Sequence, residues 1–293
     1  MKFLNILSSF SDRDLLSSDI SSLMDWCAEW RLSLNVSKCS HITFSLLCDS
    51  AESSYSVDGI LLDRVDSHRD LGVIVSKNLS WSTHYHKICS KAYLTLHMVR
   101  RNIPSTANFC LKRNLYLSLV RSQVCYCSQI WSPMYLKDIR ALELIQRRAT
   151  KFILSGSFLS YKDRLIELKL LPLMYWYDFQ DVLFLLKCML HPPDNFDIFN
   201  YVSFCDTNTR TAGLGKLKYV YKRLSSTRHF YFNRVVRLWN SLPFLDLSLS
   251  FNSLKNFIYD HLWNHFLCNF DDANLCSYHY VCPCSNCHII YNY

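Results

Sequence analysis

Glycine and proline are scarce, at five and seven in 293 residues. So few exclude a Gly-rich nucleotide-cradling fold and a many-stranded β-barrel, whose turns need them, and point to helices. Long apolar runs are also absent. The densest, from Val182 to Leu186 with flanks to Leu190, is broken by Lys187 and falls well short of the roughly 20 residues that span a bilayer. No membrane helix is expected. Met1 to Leu7 carries one positive charge and a short apolar stretch interrupted by Asn5, too little for a secretory signal, so an intracellular chain, cytoplasmic or nuclear, is expected. Half of the residues are apolar, which excludes disorder as the main description and permits a packed core.

Acidic residues are missing from one stretch. Between Thr207 and Leu245 there is no Asp or Glu, while Arg210, Lys216, Lys218, Lys222, Arg223, Arg228, Arg234 and Arg237 supply eight positive charges. The remaining 24 Lys and Arg balance the 24 Asp and Glu, so the net charge of +8 resides in this window. Tyr219, Tyr221, Phe230, Tyr231, Phe232 and Trp239 lie among the cations. Cations interleaved with aromatics suit a single-stranded or hybrid nucleic acid; the alternative is a solvated basic surface with its aromatics turned into the core.

Most of the fourteen cysteines sit beside apolar residues, where in a reducing compartment they act as small hydrophobes. The last 26 residues hold five, Cys268, Cys276, Cys282, Cys284 and Cys287. Cys276, Cys282, Cys284 and Cys287 can supply four thiolates to a structural Zn2+. The rival reading is a tail of free thiols.

Leu16, Ile20, Leu23, Cys27 and Trp30 recur at helical spacing, which predicts an amphipathic helix from Asp12 to Trp30. His41 to Ser45 alternates as a strand, Tyr55 to Leu62 reads as a hairpin turning at Asp58-Gly59, and Leu71 to Val75 makes one more short strand. Ser82 opens a helix with Tyr85, Ile88, Cys89, Ala92, Leu96 and Val99 in one stripe. Further helices are predicted over 109–125, 137–154, 161–170, 173–190 and 226–240. The helix over 137–154 points Ile139, Leu142, Ile145, Ala149 and Phe152 inward and carries Arg140, Arg147, Arg148 and Lys151 on its other side. Trp26, Trp30, Trp81, Trp131 and Trp239 are expected to anchor packing. The fold class is α+β, mostly α: residues 1–80 with a helix and short strands, a helical domain over 81–193, a basic helical region over 194–267, and a Cys-rich tail over 268–293.

Several chemistries are absent. Gly213-Leu214-Gly215-Lys216 is no phosphate loop, because Arg210 stands where the first glycine belongs and Leu217 follows the lysine. Neither a G-x-S-x-G elbow nor an H-E-x-x-H metal motif occurs. His84 and His86, two apart on a helix, cannot converge on one ion.

The order of short motifs is more informative. Asp25-Trp26-Cys27, Trp30, Leu34-Asn35-Val36-Ser37-Lys38-Cys39, Asp70-Leu71-Gly72-Val73, Leu79-Ser80-Trp81 with His84, Tyr116 to Ser122, Ile130-Trp131-Ser132-Pro133, Leu142 to Thr150 and Trp239-Asn240-Ser241-Leu242-Pro243 follow one another. Together they resemble the C-terminal half of the reverse transcriptase of LINE-like, non-LTR retrotransposons of the jockey and chicken-repeat type, over roughly residues 1 to 262. The resemblance implies the end of a palm, a thumb and a C-terminal region of an RNA-directed DNA polymerase. It implies Lys38 near the incoming nucleotide's phosphates, Asp70 to Val73 as the hairpin that grips the primer end, and a thumb over about 82–155 holding template and product through Lys87, Lys91, Arg147 and Arg148. With Lys222, Arg223 and Arg228 of the basic window, these are the candidate contacts to RNA and RNA–DNA hybrid backbone.

In that family an aromatic-Ala-Asp-Asp box holds carboxylates for two Mg2+ ions just before a stretch that looks like Met1-Lys2-Phe3. The Mg2+ ligands are therefore expected to be missing here, leaving no catalytic residues and a chain inactive alone in two-metal phosphoryl transfer. Phe270-Asp271-Asp272 sits beside the cysteine tail, away from any palm strand, and is read as coincidence. Relatives often carry two arginines after the Pro-Leu corner, where this chain has Trp176-Tyr177. Three readings stay open: an enzyme fragment, a non-catalytic RNA or RNA–DNA hybrid binding module, and an untranslated or non-functional remnant.

Overall fold

The computed structural model describes Ile6 and residues 10–44, 54–155, 158–205, 215–218 and 230–281, and the chain divides into two units, Met1–His84 and Tyr85–Tyr293. Helix dominates and the strands are few and short, the mostly α form of α+β expected from the sequence.

In the first unit, α1 (Phe10–Glu29) ends in a Schellman turn. Arg31 takes φ +53° while its N–H bonds to Ala28 O at 3.1 Å and the Leu32 N–H bonds to Cys27 O at 2.8 Å. Cys27 is buried, and Leu16, Ile20 and Leu23 are half-buried. Trp26 and Trp30, expected as packing anchors, are instead 45% and 63% exposed. Trp26, next to Cys27, is rotated about 100° off the buried face, and Trp30 lies past the last helical residue, Glu29.

The strands pair in twos. β1 (Ser40–His41) runs parallel to β4 (Asp63–Arg64), β2 (Ser56–Val57) pairs antiparallel with β3 (Ile60–Leu61), and β5 (Ser67–Asp70) pairs antiparallel with β6 (Val73–Ser76). The β2–β3 loop is Asp58-Gly59 with φ +51° and +71°, the positive pair that a type I′ turn requires. The strand predicted over His41 to Ser45 contributes only His41 to a ladder. The one predicted from Leu71 begins at Val73, because Leu71 and Gly72, at φ +44° and +93°, form the second hairpin's tip. The motif Asp70 to Val73 is therefore a two-residue turn closed by the Asp70↔Val73 pair.

The second unit is helical. α2 (Ser82–Asn102) buries Tyr85, Cys89, Ala92, Leu96 and Val99, the predicted stripe, with Ile88 half-buried. Ser82 is its first helical residue, and its N–H reaches the Ser80 hydroxyl at 3.4 Å. The helix predicted over 109–125 is continuous but not uniform: α3 (Phe109–Leu115) passes through a π-helical segment, Tyr116–Arg121, into α4 (Ser122–Cys125). α5 (Ser128–Trp131) ends on a fully buried Trp131, whose ring packs edge-on against Tyr85 and Tyr177 with centroids 5.8 and 5.6 Å apart. α6 (Leu136–Ile153) turns Ile139, Leu142, Ile145 and Ala149 inward with Ile153, while Phe152 is only half-buried.

α7 (Tyr161–Glu167) is shorter than the predicted 161–170 and is capped by Ser160, whose hydroxyl accepts from the Asp163 N–H at 3.2 Å. It stops where Lys169 takes φ +51°. α8 (Leu173–Leu190) is buried over most of its circumference, as a central helix must be. It packs against α5, α6, α9 (Tyr231–Ser241) and α10 (Phe251–Asn269). The helix predicted over 226–240 is α9, starting at Tyr231; residues 226–229 lie outside the described residues. α10 buries Leu254, Ile258, Leu262 and Phe266, one residue per turn.

Two polar networks tie this unit together. Glu143 on α6, 1% exposed, accepts from the Tyr161 hydroxyl and from the Leu173 N–H at 2.9 Å, placing a carboxylate on the N-terminus of α8. Gln146, one turn on, donates to Leu171 O at 3.0 Å and accepts from the Tyr116 hydroxyl at 2.8 Å. Burial raises the Glu143 carboxyl, while the bonds from Tyr161 and Leu173 oppose it. The second network is an ion pair between Arg234 Nε on α9 and Asp181 Oδ2 on α8 at 2.6 Å, with side-chain exposures of 9% and 0%. Arg234 also donates to Gln129 O at 2.9 Å, and the Tyr231 hydroxyl donates to Asp181 O at 2.8 Å.

Candidate nucleic-acid interface

Lys87 and Lys91 lie one turn apart on α2, both exposed. Their spacing puts them on the side opposite the buried stripe, since 3.6 residues per turn rotates each about half a turn from Tyr85 and Cys89. On α6 the exposed Arg148 lays its guanidinium over the Tyr93 ring of α2, 4.9 Å from the centroid. Arg100 on α2 in turn covers Phe152 of α6 at 5.9 Å. The α2–α6 seam thus carries two exposed arginines, each resting on an aromatic face supplied by the other helix, and the exposed Lys151 lies three residues beyond Arg148. Stacking on a ring holds a guanidinium in place while its edge N–H groups stay open to a phosphate. Burial raises the Tyr93 hydroxyl against the opposing charge of Arg148. Arg100 and Tyr93 had no motif to mark them; only the contact between the helices assigns them here.

Arg147 is placed differently from its neighbour. Its guanidinium is held by Asp272 and by the Tyr278 hydroxyl, and lies 4.2 Å over the Tyr161 ring. Burial would raise the Asp272 carboxyl, but the hydrogen bonds from Arg147 and Tyr278 together with Arg147's charge hold it below the ordinary carboxylate range. One of the two aspartates of Phe270-Asp271-Asp272 thus anchors the segment after α10 to α6. Lys38 is exposed at the end of a short 3-10 turn, Val36–Lys38, in the first unit.

Lys222, Arg223 and Arg228 lie outside the described residues. Among the described cations of the acid-free window, two serve the fold. Arg234 is the buried partner of Asp181, and Lys216 donates to Asn240 O at 2.7 Å and Leu242 O at 2.9 Å, closing the C-terminal end of α9. Some of the window's described aromatics pack as well, while Phe230 and Phe244 are 57% and 61% exposed. Trp239 is buried and donates to Gly215 O at 2.9 Å, and Phe232 stacks on Tyr201 with centroids 4.4 Å apart.

Cys276 is half-buried in a 3-10 turn, Leu275–Tyr278, while Cys282, Cys284 and Cys287 lie outside the described residues. Among the described residues no three His, Cys, Asp or Glu side chains gather to hold a metal ion. The donor set that two Mg2+ ions need is thus not assembled among them. No helix among the described residues is long and apolar enough to cross a membrane.

Two curated relatives resemble the chain. It is 26% identical over 141 residues to the probable RNA-directed DNA polymerase from transposon BS of Drosophila melanogaster, a match covering 47% of this chain and 16% of that protein. It is 24% identical over 138 residues to the RNA-directed DNA polymerase from mobile element jockey of Drosophila funebris, covering 44% of this chain and 15% of the relative. The chain therefore corresponds to a small part of each relative's length. Both agree with the LINE-like, jockey-type reverse transcriptase resemblance of the motifs. No family model matches the chain, and no solved structure matches it.

Proposed function

We propose that this chain is the palm-end, thumb and C-terminal portion of a non-LTR retrotransposon's RNA-directed DNA polymerase, and that its own task is to hold RNA or RNA–DNA hybrid by the backbone. Residues 1–80 take the palm's part, 81–193 the thumb's, and 194–267 the basic C-terminal region's. The observation that carries this reading is the α2–α6 seam, where Arg100 and Arg148 stand exposed on aromatic faces, with Lys151 exposed one turn on from Arg148; Lys87 and Lys91 are exposed on α2's outer side.

Such a surface reads phosphate spacing and helix shape rather than bases, which suits a protein that must accept any template sequence. Lys38, Lys222, Arg223 and Arg228 are proposed as further phosphate contacts, with Arg147 requiring release from Asp272 before it joins them. The task proposed for these residues is binding. Equilibrium binding to a labelled RNA–DNA hybrid tests it. Salt-sensitive binding with little sequence preference is expected, and no binding at low salt would refute the reading.

A further inference from the structure

Away from the α2–α6 seam, a groove of about 620 Å³ opens between the π-helical segment, α8 and α10, lined by Arg113, Arg121, Ser122, Lys169, Trp176 and Tyr259 among others. Three of those six side chains are cationic, and among the described residues no carboxylate lines it. Arg121 is only 6% exposed. Its guanidinium lies 4.3 Å over the Trp176 ring and within hydrogen-bonding reach of the Cys125 thiol, yet its Nε and one terminal nitrogen are buried with no hydrogen-bond partner. A buried charged group without its hydrogen bonds is costly, and arginine cannot escape by losing its proton. The residue also ends the π-helical turn Tyr116–Arg121, a local irregularity that collects at functional sites.

We propose that this groove is a binding site for a phosphate group carried by a nucleotide or a nucleic-acid strand. The planar fork of Arg121 matches two phosphate oxygens. Lys169 lines the groove and is exposed. Arg113, anchored through Nε to Leu168 O at 2.7 Å, adds a third positive charge. The Ser122 hydroxyl is engaged with Ser118 O, so the groove's donors are its three cations, which together offer more N–H groups than a carboxylate's two oxygens use. A volume of this size is that of a small-ligand pocket. The site shares no residue with the seam, and a free nucleotide tests it apart from strand binding.

The full chain is melted with increasing adenosine monophosphate at constant ionic strength. A saturable rise in melting temperature is expected, with apparent affinity weakened about tenfold or more in Arg121→Gln and in Lys169→Ala. Lys169 is exposed, so its variant keeps the test alive if Arg121→Gln fails to fold. Arg121→Lys, which keeps the charge and loses the fork, is expected to fall between. A second arm compares short RNA with a 5′-phosphate against the same RNA with a 5′-hydroxyl. A preference for the phosphorylated strand that vanishes in Lys169→Ala supports a terminal phosphate in the groove, and equal binding of both, equally weakened by the variant, supports an internal phosphodiester. No saturable rise in the wild type, or the same rise in both charge-removing variants, overturns the proposal.

Discussion

Asp181 and Arg234 form the most deeply buried ion pair among the described residues, and removing one partner strands the other. Asp181→Leu leaves a guanidinium that cannot deprotonate, with Gln129 O as a remaining acceptor and Asp178 close enough to be felt. Breaking a buried pair in this way costs about 3–5 kcal/mol, and Asp178 should hold the loss near the lower end. In a unit of this size 1 kcal/mol moves the melting temperature by about 2–4 °C, so a fall of roughly 6–20 °C is expected. Arg234→Met differs, because the stranded group can neutralise itself. Burial already pushes the Asp181 carboxyl up to about 6 despite the opposing Arg234, and without the arginine it climbs further. Between the ordinary carboxylate value and its raised one the folded variant then holds a proton that the unfolded chain lacks, so its deficit should shrink as pH falls toward 4. The double variant Asp181→Leu with Arg234→Met leaves no stranded charge and should be more stable than either single one. Thermal and urea unfolding of the four proteins between pH 5 and 8 measures all of this. If the double variant loses the sum of the two single losses, the pair is not coupled and the reasoning fails.

Two histidines on α10 give a second pH signature. Burial lowers both His261 and His265 below the usual imidazole value, with His261's charge adding to the effect on His265. His265 meets the Tyr175 hydroxyl at 2.8 Å. Between 6.5 and the lowered value the unfolded chain binds protons that the fold does not, so this contribution is present above pH 6.5 and lost as pH falls. The melting difference between wild type and His265→Gln should therefore be larger at pH 7.5 than at pH 5; an equal difference at both would refute the assignment. Glu143→Ala removes the acceptor of the Tyr161 hydroxyl and the Leu173 N–H and should cost about 2–5 kcal/mol. Glu143→Gln, which keeps an acceptor, should cost less; equal losses in urea unfolding would show that the hydrogen bonds are not the cause.

The second unit was the more legible in the sequence, because its helices bury regular stripes. Tyr85 to Val99 and Ile139 to Ala149 could be read from spacing alone. α10 has no such stripe to read, since its buried residues fall only once per turn among exposed Phe257 and Leu267. The strands were harder. Their ladders are two to four residues long, too short for alternation to set their limits, and Gly72's positive φ, not hydrophobicity, places the second hairpin's turn. The motif Leu142 to Thr150 was visible as a pattern, but its division of labour was not: Glu143 and Gln146 cap and tie α8, Arg147 binds Asp272, and Arg148 faces solvent. Charge counting could not separate Arg234, spent on Asp181, from cations that reach solvent. That distinction depends on which residue lies across the helix interface, information that no single segment contains.

The exposed cations on α2 and α6 are the proposed contacts to nucleic-acid phosphates. The most direct measurement is the affinity for a labelled single-stranded RNA across a series of salt concentrations, by fluorescence anisotropy, for the wild type and for Lys87→Ala/Lys91→Ala/Arg148→Ala. All three side chains are exposed, so folding should be unaffected. Each lost phosphate contact should reduce the log–log slope by about 0.7, and the triple variant should therefore be shallower by about 2 units and weaker at low salt. A slope and affinity unchanged from wild type would contradict the account.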